Sequence, residues 1–127
     1  MRNKNNPVGW FEIPVVNMDR AKAFYESIFE IEMPVQTMDD NMMAWFPCDN
    51  TKLGSCGSLV KMKDYIPSRD GVVIYFTVLN LEVVLDKVNE NGGEVLVSRT
   101  SIGQYGFVAF FIDSEGNKIG LHTRENL

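Results

Sequence analysis

The sequence predicts an α+β domain of two tandem βαβββ modules, in which a curved mixed sheet surrounds a cleft and the helices lie outside. An internal repeat, two amphipathic helix patterns and short strand-like runs after each helix predict this fold. A chain of 127 residues, 45% of them hydrophobic, fits a single domain. We place module one at about residues 8–61, a linker at about 62–70 and module two at about 71–123.

The internal repeat is a five-residue block that occurs twice. Val15–Asp19 and Val78–Glu82 both read apolar, apolar, Asn, apolar, acid, at an offset of 80 − 17 = 63 residues. Each block follows an apolar run typical of a strand and opens a run typical of an amphipathic helix. The repeat therefore places Asn17 and Asn80 at the N-caps of two helices, and Gly92 and Gly93 end the second helix.

Periodicity predicts the helix and strand positions. Apolar residues at i, i+3, i+4 and i+7 form the two helix stripes, Ala21, Phe24, Tyr25, Ile28 and Leu81, Val84, Leu85, Val88. The predicted strands are 9–16, 32–36, 42–46 and 55–61 in the first module, and 72–78, 94–98, 107–112 and 118–122 in the second.

Alternation along the strands predicts which side chains line the cleft. The all-apolar set of each opening strand packs beneath its own helix, which leaves Trp10, Glu12, Tyr75 and Thr77 for the concave side. The same alternation in the last strand turns His122 toward the cleft. Mixed polar and apolar walls of this kind are typical of a small-molecule pocket.

The candidate catalytic residues are Glu12 and His122. A carboxylate that faces a semi-apolar cleft suits a general acid or base, and the only histidine of the chain could orient it or hold a displaced metal. The predicted ligand-binding residues are Trp10, Trp45, Tyr75, Thr77, Tyr105 and Phe107. The alternative is that the rings belong to the core, that Glu12 is a solvated strand residue and that His122 lies at an edge.

Composition and charge exclude several classes of partner. A net charge of −5 and a pI of 4.8, without a basic stripe, make nucleic acid an unexpected partner. No apolar run approaches a membrane span, and the polar start does not resemble a signal peptide, so we expect a cytoplasmic protein. In that compartment Cys48 and Cys56 are expected to be reduced thiols, with Cys56 buried and inert.

The chain resembles the vicinal oxygen chelate superfamily, which includes glyoxalase I, bleomycin-resistance proteins and extradiol dioxygenases. The paired βαβββ pattern carries the resemblance over nearly the whole chain, together with three motifs. Asn17–Tyr25 is similar to the family's D-x-x-R-x-x-x-F-Y helix start, and Asn91–Gly93 accompanies Asp113–Ile119, which is similar to D-P-x-G-N-x-I-E. The resemblance implies a homodimer, because the sheets of such modules often pair across two chains.

The resemblance also implies four metal-ligand positions on the strands. They fall at Trp10, at Gly57 or Ser58, at Val73 and at Gly120. None of these is the His, Asp, Glu or Cys that such a site needs, so we expect no resident metal. The alternative is a divalent metal on a shifted set of ligands that includes Glu12 and His122.

The leading hypothesis is a glyoxalase-like protein that binds a small organic molecule without a metal. It acts either by sequestration or by acid–base chemistry centred on Glu12. One alternative is a metal-dependent lyase or isomerase of the lactoylglutathione-lyase type that uses the shifted ligands. Another is a non-catalytic interaction domain, and the sequence leaves open whether the protein is an enzyme.

Overall fold

The computed structural model describes residues 6–124, which form two similar halves. The first half contains β1 (Trp10–Pro14), α1 (Met18–Phe29), β2 (Val35–Met38), β3 (Asn41–Trp45) and β4 (Cys56–Lys61). The second half contains β5 (Ile74–Thr77), α2 (Leu81–Val88), β6 (Glu94–Ser101), β7 (Phe107–Ile112) and β8 (Lys118–Thr123). Each half has the predicted βαβββ order.

Both helices begin at the predicted asparagine caps. The Oδ1 of Asn17 accepts a hydrogen bond from the Arg20 N–H, and that of Asn80 accepts from the N–H groups of Glu82 and Val83. Such side-chain acceptors satisfy donors that have no partner within the helix. All eight residues of the two apolar stripes are buried, which confirms the predicted helix faces.

The strands form two four-stranded mixed sheets with orders β1-β4-β3-β2 and β5-β8-β7-β6. The opening strand of each half runs parallel to the last strand of that half, and the other pairs are antiparallel. The predicted strand 32–36 is wrong in its start, because Met33 is buried and its N–H donates to Glu26, so β2 begins only at Val35. Because they stand first in these strand orders, β1 and β5 are both edge strands.

An aromatic cluster joins the two halves on their helix-bearing faces. The ring of Phe76, from β5, lies 5.7 Å from Phe11, 6.1 Å from Tyr25, 4.9 Å from Phe29 and 5.1 Å from Phe46, between ring centroids. Offset and edge-to-face rings at such separations bury large apolar areas. The two helices also pack on each other, so the halves share one core.

The turn between β7 and β8 adds buried polar links between the halves. The Tyr25 hydroxyl donates to Asp113 Oδ2 at 2.6 Å, and Asn117 Nδ2 donates to the Pro14 carbonyl at 2.8 Å. Burial, followed by the charge of Asp113 and its hydrogen bond, raises the pKa of Tyr25 well above its ordinary value. The turn therefore fixes the second half against the end of β1.

The two cysteines form a disulfide, so the prediction of reduced thiols is wrong. Cys48 and Cys56 are bonded across the loop between β3 and β4, with their Cα atoms 5.5 Å apart. Both are in this bond, so Cys56 is not the inert buried thiol that we expected. The antiparallel pairing of β3 and β4 brings the ends of the loop together, which the spacing of eight residues does not reveal.

Candidate functional site

Two tryptophans mark the inner face of the first sheet, the face opposite α1. Trp10 of β1 and Trp45 of β3 are each 40% exposed, and their rings meet edge to face with centroids 5.5 Å apart. In the strand register, Ser58 of β4 lies opposite both Glu12 and Trp45. We call Trp10, Glu12, Trp45 and Ser58 the first inner-face set.

Glu12 is exposed on this face and has one hydrogen-bond partner among the described residues. The hydroxyl of Tyr65, from the segment that links the halves, donates to Glu12 Oε1 at 3.1 Å. This hydrogen bond and the charge of Glu12 raise the pKa of Tyr65. The second carboxylate oxygen has no partner within residues 6–124, so Glu12 can accept a further hydrogen bond. The acid–base hypothesis requires a desolvated carboxylate, and the single chain does not bury this one.

Ser58 is fully buried, and its Oγ makes no hydrogen bond to any described residue. Buried hydroxyls nearly always have a partner, so this hydroxyl is a polar group for which the described residues supply none. Its neighbour Gly57 points to the opposite face, where a Cβ would collide with the ring of Phe11. The register therefore selects Ser58, rather than Gly57, as the residue at that predicted position. From the sequence alone, either Gly57 or Ser58 could occupy this position.

The inner face of the second sheet carries Tyr75, Thr77 and His122. Tyr75 is 50% exposed, contacts the Phe110 ring at 5.6 Å and covers Gly120, where a Cβ would approach the tyrosine ring to 2.6 Å. Thr77 is exposed and lies opposite His122 in the pairing of β5 with β8. These three side chains share a face, as the alternation predicted.

His122 is held by a backbone carbonyl. Its Nε2 lies 2.7 Å from the carbonyl oxygen of Tyr105, which belongs to a 3-10 turn. Because a carbonyl oxygen only accepts, Nε2 must carry a hydrogen, and this nitrogen cannot ligate a metal at the same time. The ring of Tyr105 is exposed, and Phe107 lies partly buried beneath the guanidinium of Arg99, 3.9 Å from the ring centroid.

The structure groups the predicted site residues into two sets rather than one. Within residues 6–124, no hydrogen bond, ion pair or ring contact joins Glu12 to His122, or Trp10 to Tyr75. The rings of Phe11 and Phe76 instead join the opposite faces of the two sheets. The single chain therefore presents two inner faces that do not touch through their predicted site residues.

A cavity of about 1060 Å³ lies where the halves meet. Its walls come from the helix-bearing side of the first half, from both faces of β5 and from the start of α2. They include Phe11, Phe29, Phe46, Leu53, Tyr75, Thr77, Val78, Leu79 and Val83. Glu12 and His122 do not line it. Strand alternation could not reveal this cavity, because it depends on how one half sits against the other.

Comparison with protein families assigns the fold. Residues 8–121 match the model of the Glyoxalase/Bleomycin resistance protein/Dioxygenase superfamily. The chain belongs to this superfamily. A comparison with curated protein sequences gives no match.

Solved structures of glyoxalase-family proteins have the same fold at low sequence identity. A Frankia glyoxylase/bleomycin resistance protein/dioxygenase domain superposes with a TM-score of 0.71 at 15% identity, covering 93% of this chain and 97% of that one. A Bacillus cereus glyoxalase family protein superposes with a TM-score of 0.70 at 16% identity, covering 98% of this chain and 98% of that one. A glyoxalase I variant from Zea mays superposes with a TM-score of 0.66 at 17% identity, covering 93% of this chain and 46% of the maize chain. The chain thus spans about half the length of the maize protein.

The residues at the implied ligand positions do not fit a divalent metal in this glyoxalase-superfamily chain. Trp10 and Val73 offer no donor atom, Ser58 offers a buried neutral hydroxyl, and the Tyr75 ring covers Gly120. Divalent metals in such sites need imidazole, thiolate or carboxylate ligands. Among the described residues, no three His, Cys, Asp or Glu side chains come close enough to hold a metal together.

No helix within residues 6–124 is long and apolar enough to cross a membrane.

Proposed function

We propose that this glyoxalase-superfamily protein binds a small organic molecule on the inner face of its first module, without a resident metal. One observation carries the proposal. Two half-exposed indole rings, a carboxylate with a free oxygen and a buried hydroxyl without a partner share one face of one sheet. Such a combination of aromatic surface and a few convergent polar groups is typical of small-molecule sites.

The chemistry of this face favours a planar ligand that carries a hydrogen-bond donor. Trp10 and Trp45 offer ring surface for stacking, and the free oxygen of Glu12 accepts from an N–H or hydroxyl group. The Ser58 hydroxyl both donates and accepts, so it matches a polar atom that reaches beneath the rings. If the bound molecule carries a labile proton, Glu12 is the group in position to take it.

We further propose that a second copy of the chain closes this site. The inner faces of both sheets expose large rings: Trp10 and Trp45 are each 40% exposed, and Tyr75 is 50% exposed. The edge strands β1 and β5 have no second partner strand within the described residues. Burial of these surfaces in a homodimer would also desolvate Glu12, which the acid–base hypothesis requires. Sedimentation velocity tests this step: the proposal predicts a dimer, and a monomer at micromolar concentration would contradict it.

A thermal-shift screen of small aromatic molecules tests the proposed site, with protein stripped of metal by a chelator. We expect hits to raise Tm by several degrees at saturating concentration, because ligand that binds only the folded state stabilises it. Glu12→Gln should weaken such hits about tenfold or more, as expected when a hydrogen bond to a charged group is lost. Glu90→Gln is the matched control, since Glu90 is an exposed carboxylate of the second half that lines neither inner face.

The same screen separates the alternatives. Unchanged shifts in Glu12→Gln, Trp10→Phe and Ser58→Ala proteins would show that the ligand lies elsewhere. Stoichiometric zinc, nickel, manganese or iron in protein purified without chelator would overturn the metal-independent proposal and favour the lyase or isomerase alternative. A screen without hits on a dimeric, folded protein would favour a non-catalytic interaction domain.

A further inference from the structure

The start of α2, which borders the cavity between the halves, has a counterpart at the start of α1, where the chain's own Glu115 is bound. At the start of α1, the buried carboxylate of Glu115 accepts hydrogen bonds from the N–H groups of Val16, at 2.9 Å, and Asn17, at 2.8 Å. Arg20 Nε also donates to it, at 2.7 Å. The turn between β7 and β8 thus supplies a carboxylate to the first helix start, and this carboxylate is fully buried although it lies at the surface end of a helix.

The equivalent position at the start of α2 is left open. The internal repeat pairs Val16 with Leu79 (79 − 16 = 63) and Arg20 with Val83 (83 − 20 = 63). The turn before β4 pairs Leu53 with Glu115 (115 − 53 = 62), and the next residue of each turn is a glycine with φ of +100° and +99°. The loop before β4 (46–55) is longer than the turn before β8 (113–117), and its Leu53 is 95% exposed and supplies no carboxylate. Within residues 6–124, the N–H groups of Leu79 and Asn80 make no hydrogen bond.

This open position is one end of the 1060 Å³ cavity, whose other walls are mainly apolar. Phe11 and Phe46 line it on the side of the first half. The one carboxylate in the lining, Glu30, is ion-paired with Lys87 at 2.8 Å, and Lys87 lies in the last turn of α2, at the far end from the open N–H groups. The cavity thus combines a mainly apolar lining, which includes the polar side chains of Ser55 and Thr77, with the open N–H groups at the start of α2.

We infer that this cavity binds an amphipathic monocarboxylate. The carboxylate accepts from the N–H groups of Leu79 and Asn80, and the apolar tail packs against Phe11 and Phe46. Two independent observations carry this inference: the size and apolar lining of the cavity, and the carboxylate that the same backbone pair already binds in the other half. The positive end of the helix dipole favours the charged head group.

This site is separate from the proposed site on the first inner face. Phe11 points away from Trp10 and Glu12 in β1, and none of the first inner-face set lines the cavity. The replacement of Arg20 by Val83 removes the cation that the filled counterpart has, so the affinity for the head group is expected to be modest. Val83 is 47% exposed, which allows substitution there without disturbing the core.

Isothermal titration calorimetry with decanoate and decanol tests the inference on the full chain. We expect one decanoate per chain, bound about tenfold more tightly than decanol, because only the carboxylate makes charge-assisted bonds to the open N–H groups. Val83→Arg restores the missing cation and should tighten decanoate binding about fivefold to tenfold while leaving decanol unchanged. Val83→Gln is the matched control and should leave both affinities within about twofold.

Several results would overturn the inference. Equal affinities for decanoate and decanol in the wild type would show that the N–H groups do not bind the carboxylate. A Val83→Arg protein in which the two affinities do not diverge would show the same. Absence of saturable decanoate binding would remove the cavity site altogether. Loss of decanoate binding in Trp10→Phe or Glu12→Gln protein would place the ligand on the inner face instead, whereas unchanged binding there supports the cavity even if the proposed inner-face site fails.

Discussion

Substitution of Glu115 tests how the two halves are held together. Its carboxylate bonds two N–H groups at the start of α1 and the Arg20 guanidinium, and its side chain is fully buried whereas that of Arg20 is 52% exposed. Because the ion pair is half solvated, we assign it no more than about 0.5–1 kcal/mol. The two charge-assisted backbone bonds contribute about 1 kcal/mol each at a surface helix start.

The expected losses of unfolding free energy follow from this division. Glu115→Ala should lose about 2–3 kcal/mol of unfolding free energy, since it removes the two backbone bonds, the Arg20 ion pair and the bond from the Ser114 hydroxyl. Glu115→Gln keeps a neutral acceptor and should lose about 1 kcal/mol. Arg20→Ala should lose about 0.5 kcal/mol. Urea unfolding at neutral pH, followed by circular dichroism, measures the unfolding free energy of all three variants. If Arg20→Ala lost as much as Glu115→Ala, the backbone bonds would not contribute more than the ion pair, and the reasoning would be refuted.

The pH dependence gives a second test of the same carboxylate. Burial alone raises the pKa of Glu115, but the hydrogen bonds from Arg20, Asn17 and Val16 outweigh it, so the folded-state pKa is lowered. A lowered folded-state pKa adds stability above the unfolded-state value, and this stability disappears as pH falls through the folded-state value. The gap between the wild type and Glu115→Gln should therefore shrink from about pH 5 downward. A constant gap across that range would contradict the role of the charge.

Three further predictions concern other contacts. Tyr25→Phe should lose about 1–3 kcal/mol by urea unfolding, because it removes the buried bond to Asp113; the raised pKa of Tyr25 also predicts that wild-type stability falls above about pH 10, less steeply in this variant. Gly106→Ala should lose about 2–4 kcal/mol, since Gly106 has a φ of +105° and a Cβ would meet the backbone of the last strand, whereas Gly71→Ala, also at positive φ but with open space around it, should lose less. Reduction of the Cys48–Cys56 disulfide should lower the unfolding free energy by about 2–3 kcal/mol. The stability of a double Cys→Ser protein should not change on addition of dithiothreitol.

The sequence predicted the parts of the fold that depend on local pattern. The asparagine caps, the apolar stripes of both helices and the bounds of β7 follow from residues close in the chain, and the structure confirms them. The start of β2 was missed because Met33 packs into the core, and its N–H bonds Glu26 seven residues earlier. No periodicity within the strand records such a contact.

The candidate site was less predictable because it depends on register and on the placement of the halves. Alternation placed Trp10 and Glu12 on one face but could not choose between Gly57 and Ser58, since that choice requires the pairing of β4 with β1. The disulfide depends on a different pairing, that of β3 with β4, which brings the ends of their loop together. The bond that fixes His122 to a turn carbonyl, and the cavity at the start of α2, come from contacts between distant segments.

The two tryptophans of the chain allow the most direct test of the proposed function. Both lie in the first inner-face set, so a ¹H–¹⁵N spectrum shows two indole N–H signals that report on this face alone. Titration of metal-stripped protein with a hit from the thermal-shift screen is predicted to move both signals together and saturably, with a weaker response in Glu12→Gln protein. A ligand that stabilises the protein while both indole signals stay in place would contradict the account.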